Sequence, residues 1–309
     1  MCDAGTFLLS LEVSLWPEIG QGDTLCDKKE RPSVMGIYSM IKRIKYLLFL
    51  AVTVTFLLSS SAAAANGFTK KQFYAHRGDE QHAPENTMAA FKTAKKNGYK
   101  GFECDVRSNR QGMFYIFHDE NLQRMFGEDI DITDITEENR LNYVCTYKNA
   151  SKFKTKDLYI PTLKQVLEYA RKKKITAMLH LKDYRLSDEE IEQLCLEVRE
   201  TKAARRAVFI SKNPSVIAKL KAHSGIQAGY LCDARKPEIL EKGVSTALDI
   251  HADFICYITL GKHYLKKAHI KRAHKNGLDA GIYYVKARSE LKKYYKMKAD
   301  FVLSRKVLF

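Results

Sequence analysis

Short apolar or β-rich runs recur along residues 66–309, at 73–75, 101–106, 113–117, 175–181, 207–211, 227–231, 253–258, 280–285 and 300–304. Between most of them the apolar positions change period. Leu163, Val166, Leu167 and Ala170 follow the i, i+3, i+4, i+7 spacing of one helix face, and Ile191, Leu194, Cys195 and Val198 repeat it. Asn97-Gly98 and Asn276-Gly277 read as helix C-terminal stops, where glycine adopts left-handed geometry at little cost. Asn213-Pro214 reads as a helix start, with proline in the turn where its missing N–H is not needed. Strand and helix alternating this regularly predict parallel β/α units, and about eight of them suit a single (β/α)8 barrel. Two features depart from that pattern. There are nine runs. Residues 107–113 also hold only a turn, too short for a crossover helix, so a hairpin or an irregular excursion is expected there. Residues 120–160, after the third run, are polar and lack a clear period; they read as a small insertion over one barrel face.

The front of the chain has a different pattern. Residues 40–45 are basic, 46–58 almost wholly apolar and 59–65 small. This is the order of a secretory signal peptide, with cleavage expected near Ala64 or Ala65. The apolar stretch falls short of the roughly 20 residues of a spanning helix. The expectation is therefore an exported protein, membrane-anchored if residues 40–65 stay uncleaved. Residues 1–39 precede the basic start of that signal, and Met35 and Met40 both stand where translation would naturally begin. This stretch reads as a mis-called extension, leaving residues 66–309 as the working domain.

Charge sharpens the picture. The net charge is +16, and the basic and acidic residues of 1–65 cancel, so all of it belongs to residues 66–309. Such a domain is drawn to anionic partners: a phosphate substrate, a cell-surface polyanion or anionic lipid. Lys292, Lys293, Lys296 and Lys298 beside Tyr294-Tyr295 read as a solvated helix face. With no nucleic-acid motif and an export signal, no nucleic-acid partner is expected. Five cysteines follow residue 65, and none forms a CxxC pair, so a zinc ribbon is not indicated. Cys195 and Cys232 read as buried thiols; no disulfide pair can be chosen from spacing.

The chemistry is concentrated where runs end. His76-Arg77 closes the first run. Glu103 and Asp105 lie two apart on the second, so both point to one side. His118-Asp119 closes the third, and His180 and Lys182, again two apart, close the fourth. In a barrel, active sites gather at the C-terminal ends of the strands. A carboxylate pair, two imidazoles, a guanidinium and an ammonium are the equipment for metal-assisted attack on an anionic ester. His82 reads as a solvated loop residue. His223, His251, His263, His269 and His274 form no ligand pattern.

The order HRG (His76–Gly78), PENT (Pro84–Thr87), ExD (Glu103, Asp105) and HD (His118, Asp119) resembles the glycerophosphodiester phosphodiesterase family. That family shares its TIM barrel with phosphatidylinositol-specific phospholipases C. The run Gly112, His118-Asp119, Leu122, Arg124 and the segment Ile160-Pro161-Thr162-Leu163 resemble further family signatures. The resemblance implies metal-dependent hydrolysis of glycerophosphodiesters, small or polymeric, to glycerol phosphate and an alcohol. It implies His76 and His118 as the acid/base pair, Arg77 and Lys182 on the phosphate, and Glu103 and Asp105 on one divalent cation. Family members commonly pass through a cyclic phosphate that water then opens.

Two departures qualify it. The family's usual Glu-x-Lys on the fourth strand reads His180-Leu181-Lys182 here. The cation is read as Ca²⁺, Mg²⁺ or Mn²⁺, with Zn²⁺ admitted by His180: a Glu/Asp/His site carries less negative charge than three carboxylates and favours Mn²⁺ or Zn²⁺ over Ca²⁺ more than an all-carboxylate site would. Alternatively, His180 only hydrogen-bonds beside Lys182. The tryptophan-containing strand near the C-terminus is replaced by Gly281-Ile282-Tyr283-Tyr284-Val285. Two rival readings stay open at this point: a lyase that stops at the cyclic phosphate, and a catalytically impaired barrel that binds anionic surfaces. Oligomeric state is not legible.

Overall fold

The nine runs become nine strands in a computed structural model that describes residues 72–182, 186–223 and 225–306. The segments 1–39 and 40–65, with the start-site, signal and anchor readings, lie outside the described residues. No helix among the described residues is long and apolar enough to cross a membrane.

Strands β1 (Phe73–Ala75), β2 (Gly101–Ser108), β4 (Thr176–Leu181), β5 (Ala207–Ser211), β6 (Gln227–Asp233), β7 (Phe254–Ile258), β8 (Asp279–Val285) and β9 (Phe301–Ser304) pair in parallel. β1 bonds to both β2 and β9, which closes the sheet into an eight-stranded barrel. The ninth strand, β3 (Phe114–Ile116), is antiparallel to β2, with Val106 opposite Ile116. The short turn at 109–112 thus makes a hairpin on the outside of the barrel, for want of residues to cross over.

Helices α1 (Met88–Lys96), α3 (Leu163–Lys173), α4 (Asp188–Glu200), α5 (Pro214–His223), α6 (Pro237–Asp249), α7 (Lys267–Lys275) and α8 (Arg288–Lys296) alternate with the strands. Both periodic faces named above are buried. Helix α3 starts with a capping box, Thr162 Oγ1 accepting from Gln165 N and Gln165 Oε1 accepting from Thr162 N. Gly98 and Gly277 end their helices at φ of 82° and 75°.

Alternation along each strand sorts side chains between two cores. Phe102, Cys104, Ala177, Leu179 and Phe209 face outward beneath the helices, while Tyr74, Met178, Val208, Ile210, Leu231, Phe254 and Cys256 fill the interior. The interior is plugged at the N-terminal end of the strands. Phe254 and Phe301 lie over Gly229 and Gly281, where an added Cβ would stand 2.2 Å from each ring. The open end is therefore the C-terminal one. Cys104, Cys145, Cys195, Cys232 and Cys256 are all buried free thiols.

Residues 120–160 hold a one-turn helix, α2 (Gln123–Phe126), and four 3-10 turns. This insertion has a core of its own: Leu122, Met125, Ile132, Ile135, Leu158 and Ile160 pack with Ala83, Ala89 and Ala90. It braces the loop between β1 and α1 against the strand pair β2–β3.

Candidate active site

Most residues of the first two motifs have a local task. Arg77 and Gly78 turn the chain sharply after β1, at φ of 53° and 77°. Glycine is needed twice over at 78, because a Cβ there would meet Ala90 Cβ at 2.6 Å. Asn86 is also left-handed, at φ 55°, a conformation asparagine tolerates better than most residues. Its side chain grips the next strand: Nδ2 donates to Asp105 Oδ2 at 2.9 Å, and Oδ1 accepts from Asp105 N at 3.1 Å. Thr87 caps α1 by accepting from Ala90 N. Glu85 accepts from Arg77 and Arg124, each at 2.7 Å.

Three residues converge at the inner rim. Glu103 and Asp105 are fully buried and His180 nearly so, and one donor atom from each lies within 4.8 Å of the other two. Parallel register sets Asp105 opposite His180. Nδ1 of His180 stands 3.2 Å from Asp105 Oδ1 and 3.6 Å from Glu103 Oε1. Neither contact is aligned as a hydrogen bond, so Nδ1 and Oδ1 are buried without a hydrogen-bond partner among the described residues. The remaining carboxylate oxygens are held from behind: Arg77 N donates to Glu103 Oε2 at 2.8 Å, and Tyr283 Oη donates to Glu103 Oε1 at 3.2 Å.

Two unsatisfied buried atoms facing one another, within an O, O, N donor set, fit a divalent cation. Burial disfavours the charge on Asp105, but His180 and Arg77 outweigh it and hold its carboxyl well below the usual range. Burial likewise opposes protonation of His180, but the two carboxylates win and raise its pKa.

The predicted acid/base pair flanks this centre. His76 Nδ1 lies 2.6 Å from Glu80 Oε1, and Nε2 lies 3.2 Å from the Tyr283 hydroxyl. The Tyr284 ring lies against the imidazole, centroids 4.3 Å apart. Arg305 holds both oxygens of Glu80, at 2.8 and 3.0 Å. His118 follows β3, Nδ1 2.7 Å from Asp119 Oδ1, and is near enough to help lower the Asp105 pKa. Arg124 donates to Asp119 at 2.6 Å, so Asp119, Arg124, Glu85 and Arg77 form one chain of ion pairs from His118 to Asp105. Arg77 is half-buried, and burial opposes its charge, but Asp105 and Glu85 raise its pKa further. Lys182 Nζ stands 3.9 Å from Asp105 Oδ1.

All seven residues expected from sequence thus gather at the C-terminal end of the barrel. His82 is an exposed loop residue on Asp79, and His269 and His274 pair with Glu241 and Asp300 on the outer helix α7. Glu80, Tyr283 and Arg305 were not anticipated. They are 4, 207 and 229 positions from His76 in sequence, and barrel closure brings the last two beside it.

Glu80 gives a pH signature. Burial opposes its ionisation, yet His76 and Arg305 bring its pKa from 4.5 to about 2. A folded pKa below the unfolded one means stability that is fully present above about 4.5 and lost as pH falls towards 2. By linkage this one group contributes roughly 3 kcal/mol at neutral pH. Urea unfolding of the protein and of Glu80→Gln at pH 7 and pH 3 checks this. The gap in stability between them should shrink by roughly 2 kcal/mol at the lower pH.

A closed parallel barrel that gathers two histidines, an arginine, a lysine and a Glu/Asp/His cluster compatible with a divalent cation at its open end is the architecture of a phosphodiesterase. The sequence profile of the Glycerophosphoryl diester phosphodiesterase family matches residues 76–307, and the chain belongs to that family. It is 30% identical over 167 residues to the glycerophosphodiester phosphodiesterase of Caldanaerobacter subterraneus subsp. tengcongensis, spanning 53% of this chain and 68% of that protein. It is 32% identical over 112 residues to glycerophosphodiester phosphodiesterase 1 of Mus musculus, spanning 36% of this chain but only 33% of the mouse protein. The solved Oleispira antarctica phosphodiesterase in complex with sn-glycerol-3-phosphate shares the fold, with a TM-score of 0.67 at 23% identity, over 76% of this chain and 92% of that one.

Proposed function

We propose that this protein hydrolyses glycerophosphodiesters to glycerol phosphate and an alcohol at the rim formed by β1, β2, β3 and β4. The observation that carries this reading is the pair of histidines, each bound to its own carboxylate, on either side of Glu103, Asp105 and His180. Those three residues would hold a divalent cation, which would supply positive charge to offset that of the phosphodiester. Arg77 and Lys182 add fixed positive charge where the transition state gains negative charge.

The hydrogen bonds support different roles for the two imidazoles. We assign His76 the role of donating a proton to the departing alkoxide: Glu80 holds its Nδ1, and its Nε2 lies 3.2 Å from the hydroxyl of Tyr283, which itself donates to Glu103. His118 directs Nδ1–H at Asp119, which leaves Nε2 to take a proton from the attacking hydroxyl or water. The names borne by the Caldanaerobacter and mouse relatives support the same substrate class, and residues 40–65 support its use outside the cytoplasm.

Phosphorus NMR of glycerophosphoglycerol incubated with the full-length protein and Mn²⁺, Mg²⁺, Ca²⁺ or Zn²⁺ tests the proposal. Glycerol phosphate is the expected product. Accumulated cyclic phosphate would instead make the protein a lyase, and no turnover with any metal would favour a surface-binding barrel.

A further inference from the structure

One group on the same rim has no part in that chemistry. In the parallel ladder His180 stands opposite Ile210. Two residues further on, Lys182 and Lys212 are level on neighbouring strands, each one position past its strand end. Val208 and Ile210 face the barrel interior, so Lys212 continues the inward series of β5 as Lys182 continues that of β4. On β6, Leu231 faces inward and Asp233 follows two positions later, but both oxygens of Asp233 are taken by Arg235, at 2.7 and 2.6 Å. Lys212 is half-buried, and among the described residues it has no ion pair. Burial lowers its pKa; Asp233 opposes this, and Arg235, Lys182 and Lys236 lower it further. A partly desolvated ammonium among other cations lacks the counter-charge that ordinarily accompanies burial.

We propose that Lys212 receives a second phosphate, carried by the leaving alcohol, so that the preferred diesters join glycerol phosphate to an alcohol that is itself phosphorylated. The proposal rests on the hydrolase reading for the place of the first phosphate, beside the triad and Lys182. Lys182 and Lys212 stand on strands about 4.8 Å apart, a spacing that a short polyol between two phosphates can bridge. A phosphate oxyanion there supplies the charge Lys212 lacks, and Asp233, already neutralised by Arg235, does not repel it strongly.

Calorimetric titration with sn-glycerol 3-phosphate and with glycerol 1,3-bisphosphate, in the same Mg²⁺ buffer, reads the subsite directly. The unmodified protein should bind the bisphosphate about tenfold tighter or more, the order expected for one added charge-assisted contact. Lys212→Gln should erase that preference and Lys212→Arg should keep most of it. Equal affinities in the unmodified protein, or an undiminished preference in Lys212→Gln, overturns the subsite, and the unmodified protein decides it even if a variant misfolds. Turnover of glycerophosphoglycerol, with and without a terminal phosphate, separates the two readings. Bisphosphate preference without turnover of either sinks the hydrolase and leaves the subsite. Equal kcat/KM for both diesters without a binding preference does the reverse.

Discussion

Removing either imidazole, as His76→Asn or His118→Ala, is expected to lower kcat on a glycerophosphodiester by about 10²- to 10⁴-fold, the usual worth of a positioned proton-transfer group. The losses should differ in kind. An alkyl leaving group needs a proton as its bond to phosphorus breaks; a nitrophenolate does not. If His76 is the donor, His76→Asn should regain most of the rate on a nitrophenyl diester, whereas His118→Ala should remain slow on both substrates. Thermal unfolding should change little in His118→Ala, whereas His76→Asn should unfold at a lower temperature because the buried imidazole contact to Glu80 is lost. His118 is a third exposed, and Glu80 keeps both contacts to Arg305 when His76 is shortened. Near-normal rates in both variants against both substrates would remove the pair from the mechanism.

The second large effect concerns the triad. Asp105→Asn should weaken divalent-metal affinity by more than the 10- to 100-fold typical of a residue one shell further out, and activity should fall with it. His180→Ala should weaken every metal. His180→Glu restores a third carboxylate and should shift preference towards Ca²⁺ or Mg²⁺, which favour oxygen donors. Because the two carboxylates raise the His180 pKa above 6.5, a binding metal must displace that proton. Affinity should therefore fall as pH drops through the raised imidazole pKa. Titrations of the four proteins with Mn²⁺, Zn²⁺, Mg²⁺ and Ca²⁺ check this, and unchanged metal affinity and order in both His180 variants would mean that His180 is not a ligand.

The parts of this site legible in sequence were those carried by local spacing. Glu103 and Asp105 share a face because strand side chains alternate, and the same rule aligned His180 with Lys182. The hairpin at β2–β3 followed from a turn too short to cross over. Illegible was whatever depends on closure. Glu80 lies four residues after His76, but on a turn and not a helix, so helical spacing could not link them. Tyr283 reaches His76, and Arg305 reaches Glu80, only because β9 pairs with β1 at one side and β8 at the other. The insertion looked merely polar because its apolar residues serve 3-10 turns and loops, which impose no period of the helical or strand kind. Yet Leu122, Met125 and Ile132 are fully buried, and the ion pair from Arg124 to Asp119 depends on the turn they support.

The central claim is that this rim cleaves a glycerophosphodiester, and the most direct measurement is the metal-dependent appearance of glycerol phosphate. Phosphorus NMR should show the diester resonance of glycerophosphoglycerol replaced by a phosphomonoester with added metal, blocked by EDTA and by Asp105→Asn. An unchanged diester signal in the presence of all four metals, from protein that unfolds cooperatively and binds those metals, would contradict it.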